Sequence, residues 1–465
     1  MRLLLFNKWI LILFSAFLYS LAFIVSSLWW LVFMPFALLF YTMATHELSF
    51  KEGLLWGILF FGLQASGIFY SLFAIAQGAP SSFVVLAAVL LLLIFYGACY
   101  SGIWFWSTNI FIKRYDTFLF LQLLLWVVLS WLFTFVIDQI ALWIFGSLEG
   151  YPLAHPLLPL ALYPPFLKAL PIIGKQILTS IFLFSTGLLG SIFLFKDTHK
   201  KLLIAVVALS PWLTSWSLHR TSYKSPEWLS KIAVLPESFY NPQHPELIIQ
   251  EVKQKLKALI EKNPLVQLIV LPESALYLCD LSAYNELLKM WDHTHLSRAV
   301  HIITGALYRE NNHCYNAVYW IFNGTVKKLF CKKHALLLTE RLPQWAHNSS
   351  LKQLYYKDKP FITPSCNKRE PFTITSTITL IPYICSEIFF KDWPDDTTQV
   401  PILSLCNDTW IAVPYIEHLM QLMHRFRALE WHRTILYVSY TNSYLYDAQG
   451  QMWHIKNTPA DKAGV

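Results

Sequence analysis

Three short segments in the second half of the chain carry, in order, a glutamate, a lysine and a cysteine. They are Leu271-Pro272-Glu273-Ser274, then Cys331-Lys332-Lys333-His334 running on to Glu340, then Tyr383-Ile384-Cys385-Ser386-Glu387. A thiol nucleophile, a carboxylate to take its proton and an ammonium to hold an oxyanion suffice for acyl transfer through a thioester. Singly, each residue has a blander use. A cysteine after the apolar run Ile381–Ile384 is more often core than nucleophile. Glu273 would suit a helix start, and Lys332 a solvated basic cluster. Their combination in one order is what points to chemistry.

Short apolar strands and helical stretches alternate around these segments, which indicates an α/β domain. Strands are expected over Leu268–Leu271, His301–Leu307, Cys314–Phe322, Thr375–Ile384, Pro401–Leu405 and Thr434–Ser439, and helices over Pro245–Lys262, Leu281–Thr294 and Ile416–Trp431. Each of the three segments begins at or just after a strand end, where α/β folds present their chemistry. Of the seven cysteines, Cys99 lies in an apolar run. The others (Cys279, Cys314, Cys331, Cys366, Cys385 and Cys406) show no CxxC pairing with histidines, so no metal site is expected. Cys279 and Cys406 are expected to be dispensable for the thiol chemistry.

The first half has a different composition. The 465 residues are 55% hydrophobic and 16% aromatic with a mean hydropathy of +0.45, too apolar for an ordinary soluble protein. Apolar residues dominate to about Ser217, which sets a membrane domain at 1–217, a linker at 218–225 and a catalytic domain at 226–465. Seven spans are expected: Trp9–Ser27, Leu28–Ala44, Gly53–Ala76, Ser82–Trp106, Thr117–Ile137, Ile172–Phe195 and Leu202–Ser217. The formal net charge of +8 gathers in alternate short loops at Arg2 and Lys8, Lys51, Lys113 with Arg114, and Lys196 with Lys200 and Lys201. That is a topology signal, not a nucleic-acid footprint. It places those loops in the cytoplasm and everything after the seventh span outside it. The apolar, proline-broken stretch from Gly150 to Pro171 reads either as a loop packed on neighbouring helices or as an interfacial segment.

The three segments resemble the nitrilase superfamily, whose Glu-Lys-Cys triad lies in this order on an α-β-β-α sandwich. Within it the chain resembles the apolipoprotein N-acyltransferase family, and the resemblance extends over nearly the whole sequence. Leu271-Pro272-Glu273 matches that family's Trp-Pro-Glu. Lys332 carries its Lys-x-His spacing to His334, its second glutamate falls on Glu340, and Ile384-Cys385-Ser386-Glu387 matches its Cys-Tyr-Glu. Asn407-Asp408-Thr409-Trp410, His418-Leu419 and Arg427-Ala428-Leu429-Glu430 with Arg433 complete the match. Ser386 stands where the family has tyrosine, and Ile411-Ala412 where it has Phe-Gly. The family's final transmembrane helix is expected to be lacking.

The resemblance implies a bacterial inner-membrane enzyme, a monomer without cofactor or metal, with its catalytic domain on the periplasmic side. Its acyl donor would be a phospholipid and its acceptor a diacylglyceryl apolipoprotein. Glu273 would be the general base, Lys332 the oxyanion donor with the Ser386 N–H, and Cys385 the nucleophile. Glu340 and Glu387 would position the others. Trp345, Tyr355, Tyr356, Phe361, Phe389, Phe390 and Tyr415 are candidates for an apolar rim that keeps water from the thioester. Two other readings share the residues: a membrane-anchored amidase that uses water, and an inactive lipid- or lipoprotein-binding homologue.

Overall fold

The computed structural model describes residues 7–75, 80–114, 119–145, 155–217, 226–237, 245–276, 299–311, 313–335, 340, 362–363, 369–390, 399–408 and 414–455. The chain divides into two compact units: Met1–Thr221 with Ile411–Glu430, and Ser222–Trp410 with Trp431–Val465.

The first unit is helical. Helices α1 (Lys8–Ile24), α2 (Phe33–Thr45), α3 (Phe50–Ile75), α4 (Pro80–Arg114), α5 (Leu119–Phe145), α6 (Leu170–Ser191) and α7 (Thr198–Ser217) stand at the seven expected positions. Two stretches among the described residues, Ser26–Thr45 and Leu170–Leu194, are long and apolar enough to cross a membrane by length and composition. The unit's interior is partly polar. Asn109 donates to the carbonyls of Met43 and His46 and accepts from the Leu48 N–H, and Trp56 Nε1 donates to Ser15 Oγ. Its exterior is apolar: among the described residues every exposed large hydrophobic except Leu265, Val326 and Met452 lies on these helices or the short turns joined to them. Helices α3 and α4 approach closely because Gly57 carries no side chain; a methyl there would sit 2.5 Å from Cα of Ala98. The Gly150–Pro171 stretch, where described, is the packed loop. Leu157, Leu158, Leu160 and Leu167 are buried and Tyr163 stacks on Trp29.

The second unit holds two sheets. Strands β1 (Ile232–Val234), β2 (Leu268–Val270), β3 (His301–Glu310), β4 (His313–Phe322) and β5 (Thr325–Cys331) form the first, in sequence order. Pairing is parallel from β1 to β3 and antiparallel beyond. Helix α8 (Pro245–Lys262) covers this sheet. Val252, Leu256, Leu259 and Ile260 recur at helical spacing and meet Ile269, Ile302 and Tyr319.

The second sheet runs β11 (Met452–His454), β10 (Tyr444–Tyr446), β9 (Ile435–Val438), β8 (Ile402–Leu405), β7 (Thr379–Ile384), β6 (Phe372–Thr373). Strands β7, β8 and β9 are parallel and, as central parallel strands should be, mostly apolar and buried from Leu380 onward in β7 and throughout β8 and β9. The crossover from β8 to β9 passes through helix α9 (Pro414–Glu430). This amphipathic helix packs on α1, α3, α6 and the 155–167 segment and belongs to the helical unit. The expected helix Leu281–Thr294 lies outside the described residues.

Candidate active site

Glu273 follows β2 by three residues. The chain there stays in register with β3, since Leu271 N–H donates to Ile303 O at 2.8 Å and Gly305 N–H to Pro272 O at 3.2 Å. Position 305 must be glycine for this approach, because a methyl would lie 2.6 Å from Cα of Glu273. Ser274 then takes a left-handed backbone (φ +55°), so the segment turns at the carboxylate and leaves it facing inward. Cys385 is placed the same way. It is the first residue after β7, opens a short 3₁₀ turn (Cys385–Phe389) and itself holds φ +48°. A non-glycine residue in that region costs about 1–3 kcal/mol, a strain that collects at functional turns. Lys332 is the first residue after β5, its N–H bonded to Asn316 O at 2.7 Å.

The three side chains meet in one buried cluster. Lys332 Nζ lies 2.9 Å from Glu340 and 3.4 Å from Glu273 Oε1, and the lysine is 1% exposed. Asn316, on β4, donates to both carboxylates at 2.7 Å and 2.9 Å. The Asn407 N–H donates to Glu273 Oε2 at 2.8 Å, and the Tyr440 hydroxyl to Glu273 O at 2.8 Å. The Cys385 thiol lies beside them, near enough for Glu273 and Cys406 to shift its ionisation. Glu387 is buried without touching this cluster. It accepts the N–H groups of Lys333 (2.8 Å), His334 (3.4 Å) and Ile384 (2.8 Å) and pairs with Arg369 at 2.8 Å. One carboxylate thereby ties the segment bearing Lys332 to the turn bearing Cys385. The Arg369 guanidinium also lies 3.6 Å from the centre of the Tyr383 ring.

These surroundings set the protonation states. Burial raises the Glu273 pKa most; Lys332 opposes it, Glu340 adds to it, and the net shift is upward, toward a stronger base. Burial works against the Lys332 charge, but Glu340 and Glu273 together outweigh it and hold the ammonium protonated. Cys385 is raised well above the ordinary thiol range, first by its hydrogen bond with Cys406, then by burial and by the Glu273 charge, with Lys332 pulling the other way. At rest Cys385 is therefore held as a neutral thiol beside a carboxylate of raised pKa.

Glu273, Lys332, Cys385 and Glu340 thus come together as a group, and Glu387 joins the two segments behind them. Ser386 is buried next to Cys385, its Oγ without a hydrogen-bond partner among the described residues. Two contributors had no part in the sequence argument, and a third entered it only as a dispensable thiol. Asn316 is one of many strand asparagines by type. Arg369 lies between segments whose pairing only the fold reveals. Cys406 had a readable signal, since it follows β8 as Cys385 follows β7. Of the rim candidates, Phe390 is buried and stacks on His334 at 4.3 Å and Phe389 is half-buried. The side chains of Trp345, Tyr355, Tyr356, Phe361 and Tyr415 lie outside the described residues, as do Cys279 and Ile411-Ala412.

The structural neighbours are carbon–nitrogen hydrolases. One from Helicobacter pylori G27 aligns with a TM-score of 0.34 and 14% identity over 48% of this chain and 82% of its own. A Saccharomyces cerevisiae member of branch 10 of the nitrilase superfamily gives 0.34 and 13% over 48% and 83%. A CN-hydrolase superfamily protein from Xanthomonas campestris gives 0.32 and 15% over 48% and 83%. No protein-family profile and no curated protein matches the sequence.

Proposed function

We propose that the chain is a membrane-embedded N-acyltransferase that moves an acyl chain from phospholipid to the terminal amine of a diacylglyceryl-cysteine peptide through a thioester on Cys385. The observation that carries the chemistry is the buried cluster that gathers one thiol, one carboxylate of raised pKa and one ammonium held charged by two carboxylates. Glu273 takes the thiol proton as sulfur attacks the ester carbonyl. The oxygen gains negative charge near Lys332 Nζ and the N–H of Ser386, and an oxyanion donor of this kind is worth about 10²–10³ in rate. The tetrahedral intermediate collapses, lysophospholipid leaves with the proton from Glu273, and the thioester remains. The acceptor amine then attacks the same carbonyl, Glu273 removes its proton, and Cys385 is released as the amide forms.

Lipid as donor is supported by the first unit, whose outward face is apolar while its interior holds polar side chains, the inverse of a water-soluble helical bundle. Seven helices spanning the bilayer, with the lysine-bearing loops cytoplasmic, would put the catalytic unit on the periplasmic side. The test is reconstitution in phosphatidylethanolamine vesicles with a synthetic diacylglyceryl-cysteine peptide. Amide-linked acylation of the peptide at its α-amine supports the reading. Release of free fatty acid at one rate with or without peptide would replace it with a hydrolase, and no turnover of either kind with a binding protein.

A further inference from the structure

The mechanism uses one thiol, yet the cluster contains two. Strands β7 and β8 are parallel with Ile384 opposite Leu405, so Cys385, where the chain leaves β7 into its 3₁₀ turn, and Cys406 each directly follow an in-register pair. Cys406 is still held in the sheet by its N–H bond to Val438 O at 2.8 Å. Residues abreast on neighbouring strands stand about 4.7–5.5 Å apart, and disulfides bridge Cα separations of about 4.4–6.8 Å. The Cys406 thiol is near enough to raise the Cys385 pKa, and both are thiols, not joined in a disulfide. A serine in place of Cys406 would supply an equivalent hydrogen bond, so the mechanism does not call for sulfur at that position.

We propose that Cys385 and Cys406 form a reversible disulfide when the site meets a peroxide, with Cys406 as the resolving thiol. The order follows from access: Cys385 is 8% exposed and Cys406 1%, and Cys385 is the one with a base beside it. Glu273 takes the Cys385 proton, and the thiolate attacks one oxygen of hydrogen peroxide. The O–O bond breaks, hydroxide leaves and is protonated to water, and a sulfenic acid forms on Cys385. The Cys406 sulfur then attacks the Cys385 sulfur, the S–O bond breaks, and a second water leaves. Two thiols and one peroxide become one disulfide and two waters. Without a resolving thiol the sulfenic acid advances to sulfinic acid, which ordinary thiol reductants do not reverse. Cys406 would therefore convert a terminal oxidation into a recoverable pause. The inference rests on strand register and thiol proximity and is independent of which acceptor the acyl group reaches.

The full chain in detergent micelles is treated with hydrogen peroxide, blocked with iodoacetamide and digested without reductant. The expected result is a peptide pair joining Cys385 to Cys406, lighter by two hydrogens than the separate peptides, with Cys385 alkylation recovering after dithiothreitol. In Cys406→Ser the same dose should leave Cys385 as sulfinic acid, with recovery lower by about tenfold. Cys406→Ala repeats the measurement in case the serine variant does not fold, and the wild-type peptide map is decisive alone if neither does. Sulfinic acid on Cys385 in the wild type with no 385–406 peptide would overturn the proposal, as would equal recovery in wild type and variants.

Discussion

Replacing Lys332 by methionine should have two separable costs. The ammonium sits 2.9 Å from Glu340 and 3.4 Å from Glu273 at 1% exposure, and Asn316 donates to both carboxylates. Removing the cation leaves the buried Glu273 and the half-buried Glu340 carboxyl groups facing each other, and breaking a buried pair in this way costs about 3–5 kcal/mol. In a unit of this size each kcal/mol is worth about 2–4 °C, so Tm should fall by about 10 °C. Separately, loss of an oxyanion donor adds about 3–4 kcal/mol to the acylation barrier, a rate loss of 10²–10³. The double variant Lys332→Met/Glu340→Gln separates the two effects. Removing both partners of a buried pair is far milder than removing one, so more than half of the lost Tm should return while the acylation rate stays down about 10²-fold. The assay is single-turnover acylation from phospholipid alongside thermal unfolding in detergent. Rate returning together with stability would refute the reasoning and reduce Lys332 to a structural counterion. Lys333→Ala serves as the control: its backbone N–H, retained in alanine, makes the Glu387 contact, so both readouts should stay within about 0.5 kcal/mol.

Glu273→Gln should move two quantities in opposite directions. The Glu273 charge raises the Cys385 pKa, so Cys385 alkylation should shift to lower pH while acylation falls by about 10²–10⁴ for want of a base; a shift to higher pH would contradict the arrangement. Asn316→Leu removes a donor that lowers the Glu273 pKa. The acid limb of the rate profile should therefore move up in pH, with about tenfold or greater loss at neutrality; an unmoved limb would dismiss Asn316 as a partner. His301 accepts from Trp320 Nε1 at 3.1 Å and is held at about 4, first by burial and then by Lys327. The unfolded chain protonates near 6.5, so the stability it contributes is complete above about 6.5 and is lost as pH falls toward 4. The loss should be about 1–2 kcal/mol after screening at its partly exposed ring, and His301→Phe should flatten unfolding measured across that window.

Glu273 and Cys385 were legible because each follows a buried apolar run, and such runs end where parallel strands end; Lys332, after the antiparallel strand β5, was picked out by its spacing to His334 and Glu340 instead. Strands β2, β3, β4, β8 and β9 lie where those runs predict. Strand β7 starts at Thr379 instead of Thr375, because Ile374 N–H bonds to Ile378 O and Thr375 Oγ1 accepts from Ile378 N–H, closing a turn before the strand begins. Strand β5 was missed because Thr325-Val326-Lys327-Lys328 is polar and largely exposed, so its pairing with β4 leaves no alternating signature. Strands β1, β10 and β11 are three residues each, too short for a period. The amphipathic pattern of α9 showed that one face is buried but not against which partner, and the partner is the helical unit. Asn316 and Arg369 act through contacts between distant segments, which spacing along the chain does not encode.

The central claim is an acyl thioester on Cys385. The purified chain, incubated with phospholipid vesicles and quenched in acid, should yield a Cys385 peptide heavier by one acyl group. Neutral hydroxylamine should remove that group, as should a diacylglyceryl-cysteine peptide as it gains an amide. Cys385→Ala should show no such adduct. A wild-type Cys385 peptide that stays unmodified while acyl groups still reach the acceptor, or a hydroxylamine-labile adduct elsewhere that persists in Cys385→Ala, would contradict the account.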